Sequence, residues 1–349
     1  MTRQQMVFAA WGMLWSTVWS FAAGPQSVAE FSLDGIVASR AVHATPAFLS
    51  DDLVALLVRG GDRGSGDAAI IVLRLVGGDL RISARVSTPY ESRRIRAASG
   101  QRVVVESLRH SALYSAELSS MWIIPTRQRL MAPSFPRSGI IGEWDTNRWT
   151  AFGLSADMPI VREGSGQLLS LSDDVTVVRQ ENTLRVEALD GRLLGSFAVP
   201  ANTNGAPIAE VAGPGRLFLD FGKTHRIVDF AGNTIRRIPR PPGAGFNHGW
   251  SSDGRRVRFD NATLQGHVFL RAIDALASII VPVAEDFNGE AITVVDTTTG
   301  KVCFHMDERS VPGSAGSIHA DISPSGRLVG VVTARSFAVY RLSDTCGGN

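Results

Sequence analysis

The chain has 349 residues, a formal net charge of +2, 19% charged and 44% apolar residues, and 35 glycines. That balance describes a folded chain rich in tight turns and excludes a disordered or strongly helical one. Acidic and basic residues are mixed throughout, without the concentrated basic field that phosphate backbones require, so no nucleic-acid partner is expected.

At the N-terminus, Arg3 precedes an uncharged stretch from Gln4 to Ala29 whose apolar core runs from Met6 to Ala23. Small residues stand at signal-peptidase spacing twice, as Ser20 with Ala22 and as Ser27 with Ala29. A basic start, an apolar middle and a small-x-small exit form the signal-peptide pattern. The expectation is a signal peptide over 1–29, with cleavage after Ala29 placed ahead of cleavage after Ala22. The mature protein is then secreted or periplasmic, with no membrane span. The alternative is an uncleaved anchor, because an apolar run of about 18 residues is near the minimum for a spanning helix.

From residue 30 onward the chain reads as short strands between turns. Ala68–Val76 is a continuous apolar run ended by Gly77, Gly78 and Asp79, and Leu80–Val86 alternates behind it. Gln101–Glu106 pairs with Ala112–Leu118. Leu184–Val199 reads as strand, Asp190-Gly191 turn, strand, which is a hairpin signal. Arg216–Phe221, Arg226–Phe230 and Thr234–Ile238 form a three-strand meander. One segment breaks the pattern: across 266–286, Val268, Phe269, Ile273, Leu276, Ala277 and Ile280 approximate a helical face. It is expected as a helix-bearing insertion within a repeat.

A sub-pattern recurs along this series: an apolar strand, a Ser/Gly/Asp turn, and a second apolar strand. It occupies 48–58, 97–105, 211–219, 250–259 and 322–332, with weaker copies at 137–143 and 164–171. Seven copies give roughly 45 residues each, the length of one four-stranded propeller blade. The expected fold is all-β: a single β-propeller over 30–349 with seven four-stranded blades. The irregular spacing leaves six or eight open.

The only two cysteines, Cys303 and Cys346, lie near strand ends in adjacent repeats. An even pair in an exported chain favours a disulfide. Closing that loop stabilises by about 4 kcal/mol in the chain-entropy view.

The segment Ile322-Ser-Pro-Ser-Gly-Arg-Leu328, followed by Phe337–Leu342, resembles the inner strands of WD40-like and YVTN-type propellers. Ala291–Lys301 resembles their third-to-fourth-strand hairpin. With Cys303 and Cys346, the combination looks like exported bacterial propeller proteins whose activity is uncharacterised. The resemblance covers 292–346 strongly and the chain before Ala206 faintly. It implies the fold and no particular activity, since this fold hosts many.

Chemistry-bearing patterns are sparse. No Gly-x-Ser-x-Gly elbow, sialidase-type Asp box or repeated Trp docking motif is present. Among the seven histidines, His305-Met-Asp307 and His319-Ala-Asp321 place His and Asp on one strand face. His319 and Asp321 are expected on an inner strand lining the central channel, either as a hydrogen-bonded pair or as cation ligands. Trp144, Trp149 and Trp250, with His248 beside the last, read either as packing between blades or as a sugar-stacking platform. Arginine clusters at 93–96, 236–240 and 255–258 alternate with apolar residues, so arginine presents one strand face while Ile or Val enters the core. Such a face is solvated, or lies between blades, or forms an anionic-ligand patch.

The sequence therefore suggests a monomeric, non-catalytic exported propeller that binds a protein or glycan partner and carries no cofactor. The alternative is a propeller enzyme acting on a sugar or lactone with a divalent cation in its channel.

Overall fold

The computed structural model describes residues 26–38, 42–60, 66–89, 92–107, 110–125, 130–131, 135–144, 147–155, 159–199, 208–220, 225–238, 244–261, 291–307, 318–333, 335–344 and 346. The regular structure among them is entirely strand. After β1 (Ser27–Ser32), blade 1 holds β2 (Val42–Ser50), β3 (Leu53–Gly60), β4 (Ala68–Val76) and β5 (Asp79–Thr88). Blade 2 holds β6 (Ser92–Ala98), β7 (Arg102–Ser107), β8 (His110–Tyr114) and β9 (Ser120–Pro125). Blade 3 opens on the two-residue β10 (Leu130–Met131) and continues with β11 (Ile140–Trp144), β12 (Arg148–Gly153) and β13 (Ile160–Ser165).

Blade 4 comprises β14 (Gln167–Leu171), β15 (Val175–Gln180), β16 (Thr183–Ala188) and β17 (Leu193–Ala198). Blade 5 comprises β18 (Ile208–Val211), β19 (Arg216–Asp220), β20 (His225–Asp229) and β21 (Thr234–Ile238). In blade 6, β22 (Ala244–Trp250) and β23 (Arg256–Asn261) are followed by β24 (Ala291–Asp296) and β25 (Val302–Asp307). Blade 7 has β26 (His319–Ile322), β27 (Leu328–Val332) and β28 (Ser336–Arg341), and its outer strand is β1. The sheets are antiparallel meanders, and seven such blades in a ring are the expected propeller. The expected helical insertion at 266–286 lies outside the described residues. Among those described, no helix is long and apolar enough to cross a membrane.

Strand alternation explains the ring. Successive side chains of a strand point to opposite faces, so a blade buried on both sides must be apolar at nearly every position of its middle strands. In β3, Leu53, Ala55 and Leu57 enter the cluster shared with blade 2, whereas Val54, Leu56 and Val58 enter the one shared with blade 7. Seven such apolar clusters fill the seven interfaces between neighbouring blades. Each fully buried Leu or Ile contributes about 1.5–3 kcal/mol relative to exposure.

The recurring turn joins the first and second strands of a blade. In blade 6, Ser251 Oγ donates to Asp253 Oδ1 at 2.6 Å, and the same oxygen accepts Arg255 N at 2.8 Å. Gly254 follows at φ +66°, where a Cβ would fall 1.8 Å from the Ala212 carbonyl oxygen of blade 5. The weak copy at 164–171 is instead the crossing from β13 into β14. The corresponding turn of blade 4 is Ser172–Asp174, where Ser172 N donates to Val175 O at 2.8 Å.

Closure is made by the chain's first strand. β1 pairs antiparallel with β28, Phe31 opposite Phe337 and Ala29 opposite Val339, and Leu33 N donates to Arg335 O at 2.8 Å. The strand includes Ser27, Val28 and Ala29, three residues that cleavage after Ala29 would remove. Cys303 on β25 is disulfide-bonded to Cys346, which follows β28, so blades 6 and 7 are also joined covalently.

Candidate binding site in the central channel

The first strand of each blade faces the ring's centre, and polar side chains there stitch one blade to the next. Ser170 Oγ of blade 4 accepts Val211 N of blade 5 at 3.2 Å. Asp321 Oδ2 of blade 7 accepts Phe48 N of blade 1 at 2.7 Å. Glu210 of blade 5 holds two side chains of blade 6: its Oε2 accepts Trp250 Nε1 at 2.9 Å and its Oε1 lies 3.4 Å from His248 Nδ1.

Gly249 opens this wall. It stands opposite Arg258 in the β22–β23 register, and a Cβ there would come within 3.2 Å of Arg258 Cζ. A guanidinium from a second strand thereby lies at the channel wall. Arg258 Nη2 donates to Asp260 Oδ2 at 3.2 Å, with both side chains about 10% exposed.

One end of the channel is crossed by the β10–β11 connection of blade 3. Phe135 N donates to Leu171 O and Ser138 O accepts Ser99 N, which anchors residues 135–138 to blades 4 and 2. Arg137, at φ +63°, extends across the ring: Nη1 donates to Ser252 Oγ of blade 6 at 2.9 Å and Nη2 to the Ile322 carbonyl of blade 7 at 3.2 Å.

Along the channel wall these groups stand as acids beside nitrogen side chains: Glu210 by His248, Asp260 by Arg258, and Asp321 by Arg258 and Arg137. Burial pushes the Asp260 carboxyl up, opposed by Arg258 and then His248. Burial likewise raises Asp321, opposed by Arg258 and Arg137. Glu210 also feels burial most, yet the His248 charge and hydrogen bonds from His248 and Trp250 together hold it below its ordinary value. Removing water lowers the guanidinium of Arg137, against the pull of Asp321 and Asp51.

Between these groups and Arg59, Arg94 and Arg96 of blades 1 and 2 lies a cavity of about 290 Å³, on the order of ten water volumes. Arg96 forms an ion pair with Glu106. A wider groove of about 790 Å³ runs between blades 3 and 4 near Gln167 and Arg185. Its arginines bond locally: Arg179 Nε to Glu181 O at 2.9 Å, and Arg185 Nη2 to Glu187 Oε1 at 2.9 Å. We regard the smaller, channel-centred cavity as the better candidate.

The structure brings His248, His319 and Asp321 to this one cavity. Trp144 and Trp149 lie instead in the interface of blades 3 and 4, where Trp149 is 2% exposed under the Arg162 guanidinium. Trp250 is buried between blades 5 and 6 and presents its indole N–H to the channel wall through Glu210. His305 sits on an outer strand, its Nδ1 3.0 Å from Thr293 Oγ1, far along the blade from the channel. Among the described residues, no three His, Cys, Asp or Glu side chains converge as a metal site.

Sequence reasoning missed Glu210, Asp260 and Arg137. Glu210 stands two residues before its blade's turn, as Asp321 does, and that alignment was available to find it. Arg258 belonged to a recognised cluster, but its exposure to the channel depends on Gly249 across the sheet. Arg137 meets partners 115 and 185 residues away, for which the sequence carries no local signal.

No protein-family model matches the chain, and no curated protein matches its sequence. Solved structures do. The C-terminal WD40 domain of Sif2 superposes with a TM-score of 0.53 at 10% identity, over 92% of this chain and 99% of that one. Chaetomium thermophilum Sqt1, solved bound to the N-terminus of the ribosomal protein L10, gives 0.52 at 13% identity, over 91% and 100%. KlHsv2, with loop 6CD replaced by a Gly-Ser linker, gives 0.51 at 10%, over 86% and 98%. The chain has the fold of a WD40-like seven-bladed β-propeller.

Proposed function

We propose that this propeller is an exported, non-catalytic scaffold that holds a protein partner on its ring. The observation that carries the reading is how the carboxylates of the channel wall are engaged. Glu210 is held by the indole and imidazole of the next blade, Asp260 by Arg258, and Asp321 by the Phe48 amide. Groups fixed this way rigidify a frame, and a rigid frame presenting loops from its faces suits binding. Sqt1, of like fold, is described bound to a segment of another protein, which supports a polypeptide partner over a glycan. The apolar N-terminal segment and the Cys303–Cys346 disulfide both favour an oxidising compartment outside the cytoplasm.

The test is site-specific photo-crosslinking in envelope extract, with the probe at Asp253 on one ring face or Asn182 on the other. A single protein captured from one face, and displaced by unlabelled propeller, is the expected result. If neither face gives a displaceable adduct, the scaffold reading fails.

A further inference from the structure

The geometry points to a binding site on the outer wall of the ring: we propose that the open edge of β21 in blade 5 takes up an extended acidic segment of a partner protein as a fifth strand. The carboxylates of that segment meet Arg226, Arg236 and Arg237. The site lies on the outermost strand of a blade, apart from the ring faces, so it neither requires nor replaces a partner held there.

The first observation is a pair of like charges. Arg226 of β20 and Arg237 of β21 stand directly opposite each other in the register, so their side chains leave the same face of the sheet with Cβ atoms about 4.5–5.5 Å apart. Like charges so placed destabilise a sheet. No described residue gives either guanidinium an ion pair or a hydrogen bond, and Arg226 Nε is buried without a partner. Arginines on other outer strands are matched: Arg81 by Asp79 at 3.3 Å, Arg162 by Glu187, and Arg85 by the Ile36 carbonyl. In the clusters at 93–96 and 255–258, Arg96 pairs with Glu106, Arg258 with Asp260, and Arg256 donates to the Gly326 carbonyl. The cluster at 236–240 instead places Arg236 and Arg237 in solvent.

The second observation is the strand itself. β21 is hydrogen-bonded to β20 alone, which leaves the backbone groups of its other edge available to a further strand. Thr234 to Arg237 are all exposed, Ile235 at 54%. The register shift beside Ile227 leaves Ile235 without an opposite residue in β20. Arg236 stands opposite Ile227, on the face that Arg237 does not share. A strand laid along this edge therefore passes a cation on each side, and two consecutive acidic residues reach both.

Charge complementarity decides the occupant. Edge arginines repel a second copy of the same edge. Ile235 is the strand's one exposed large apolar side chain, too little to hold an uncharged segment. Three unmatched guanidinium forks fit carboxylates, and the open edge fits a backbone that can pair with it. An acidic polypeptide supplies both, whereas an anionic lipid surface answers the charge and leaves the edge unpaired.

Titration calorimetry on the purified chain tests the proposal with four probes. They are the end-blocked peptide Thr-Val-Thr-Glu-Glu-Val-Thr-Val, its Gln-Gln counterpart, its form with proline in place of the Val after the Glu pair, and vesicles of phosphatidylglycerol and phosphatidylcholine. The Glu-Glu peptide should bind saturably and the Gln-Gln peptide about tenfold more weakly, with the difference lost near about 1 M salt. The proline form should also bind more weakly, because proline removes a ladder donor. Arg237→Gln and Arg226→Gln should each weaken the Glu-Glu peptide about threefold while leaving the melting temperature equal or higher, since a like-charge contact is relieved. Arginines with a merely structural role would instead lower the melting temperature and leave peptide binding unchanged, which would overturn the proposal. It is equally overturned if the wild type does not distinguish Glu-Glu from Gln-Gln, if the proline form binds as well, if vesicles bind and the peptide does not, or if the peptide binds more weakly than about 1 mM. The wild-type comparisons stand even if a variant fails to fold, and crosslinking on the ring faces reports separately on the scaffold.

Discussion

Two mature chains, one beginning at Ala23 and one at Glu30, differ only in residues that the signal-peptide pattern leaves undecided, but the ring distinguishes them. The longer chain keeps β1 whole. The shorter one loses the pairs Ser27–Tyr340 and Ala29–Val339, together with Ala29, which is 6% exposed, and half-buried Val28. Two lost ladder hydrogen bonds cost about 1 kcal/mol each. The two small apolar side chains add about another 1 kcal/mol. The sum, about 3 kcal/mol, is set against an unfolding entropy of roughly 0.65 kcal/mol/K for a domain of about 320 residues. The chain starting at Glu30 should therefore melt about 4–5 °C lower, read by scanning calorimetry. If the chain is processed as proposed, its N-terminus should be Ala23, which intact mass determines. Equal melting temperatures for the two chains would refute the argument that β1 helps to hold the ring shut.

Replacing Cys303 and Cys346 by Ser should lower stability by about 4 kcal/mol and the midpoint by about 6 °C; intact mass with and without reductant checks that the bond is present in the purified protein. Gly164→Ala places a Cβ 2.5 Å from the buried Trp149 indole and should cost about 1–3 kcal/mol in a denaturant melt. The Asp260 and Asp321 carboxyls are raised by burial, so the folded chain binds more protons than the unfolded chain above the ordinary carboxylate range. Their contribution is fully present below the unfolded pKa and is lost as pH rises through the folded values. The double change Asp260→Asn and Asp321→Asn should accordingly flatten the decline in melting temperature as pH rises above the ordinary carboxylate range; an unchanged slope would refute a contribution from these two groups.

What could be read from the residues was local. Turns such as Ser251–Gly254 and Ser323–Gly326 announce themselves because a hydroxyl, a carboxylate or a second hydroxyl, and a left-handed glycine must fall within four residues. The hairpin at 184–199 and the meander at 216–238 were legible for the same reason. β1 was not, because its partner lies some three hundred residues away and its own residues also satisfy the composition of a leader. The channel followed the same division. His319 and Asp321 could be placed on an inner strand from their distance to the turn, whereas the Arg258–Gly249 relation is a cross-strand register, and Arg137 joins blades nearly opposite in the ring.

That last contact alters how the ring shares a load. By tying blade 3 directly to blades 6 and 7, Arg137 runs as a chord between blades that share no interface, so a displacement on one side of the ring is felt on the other without passing through each blade in turn.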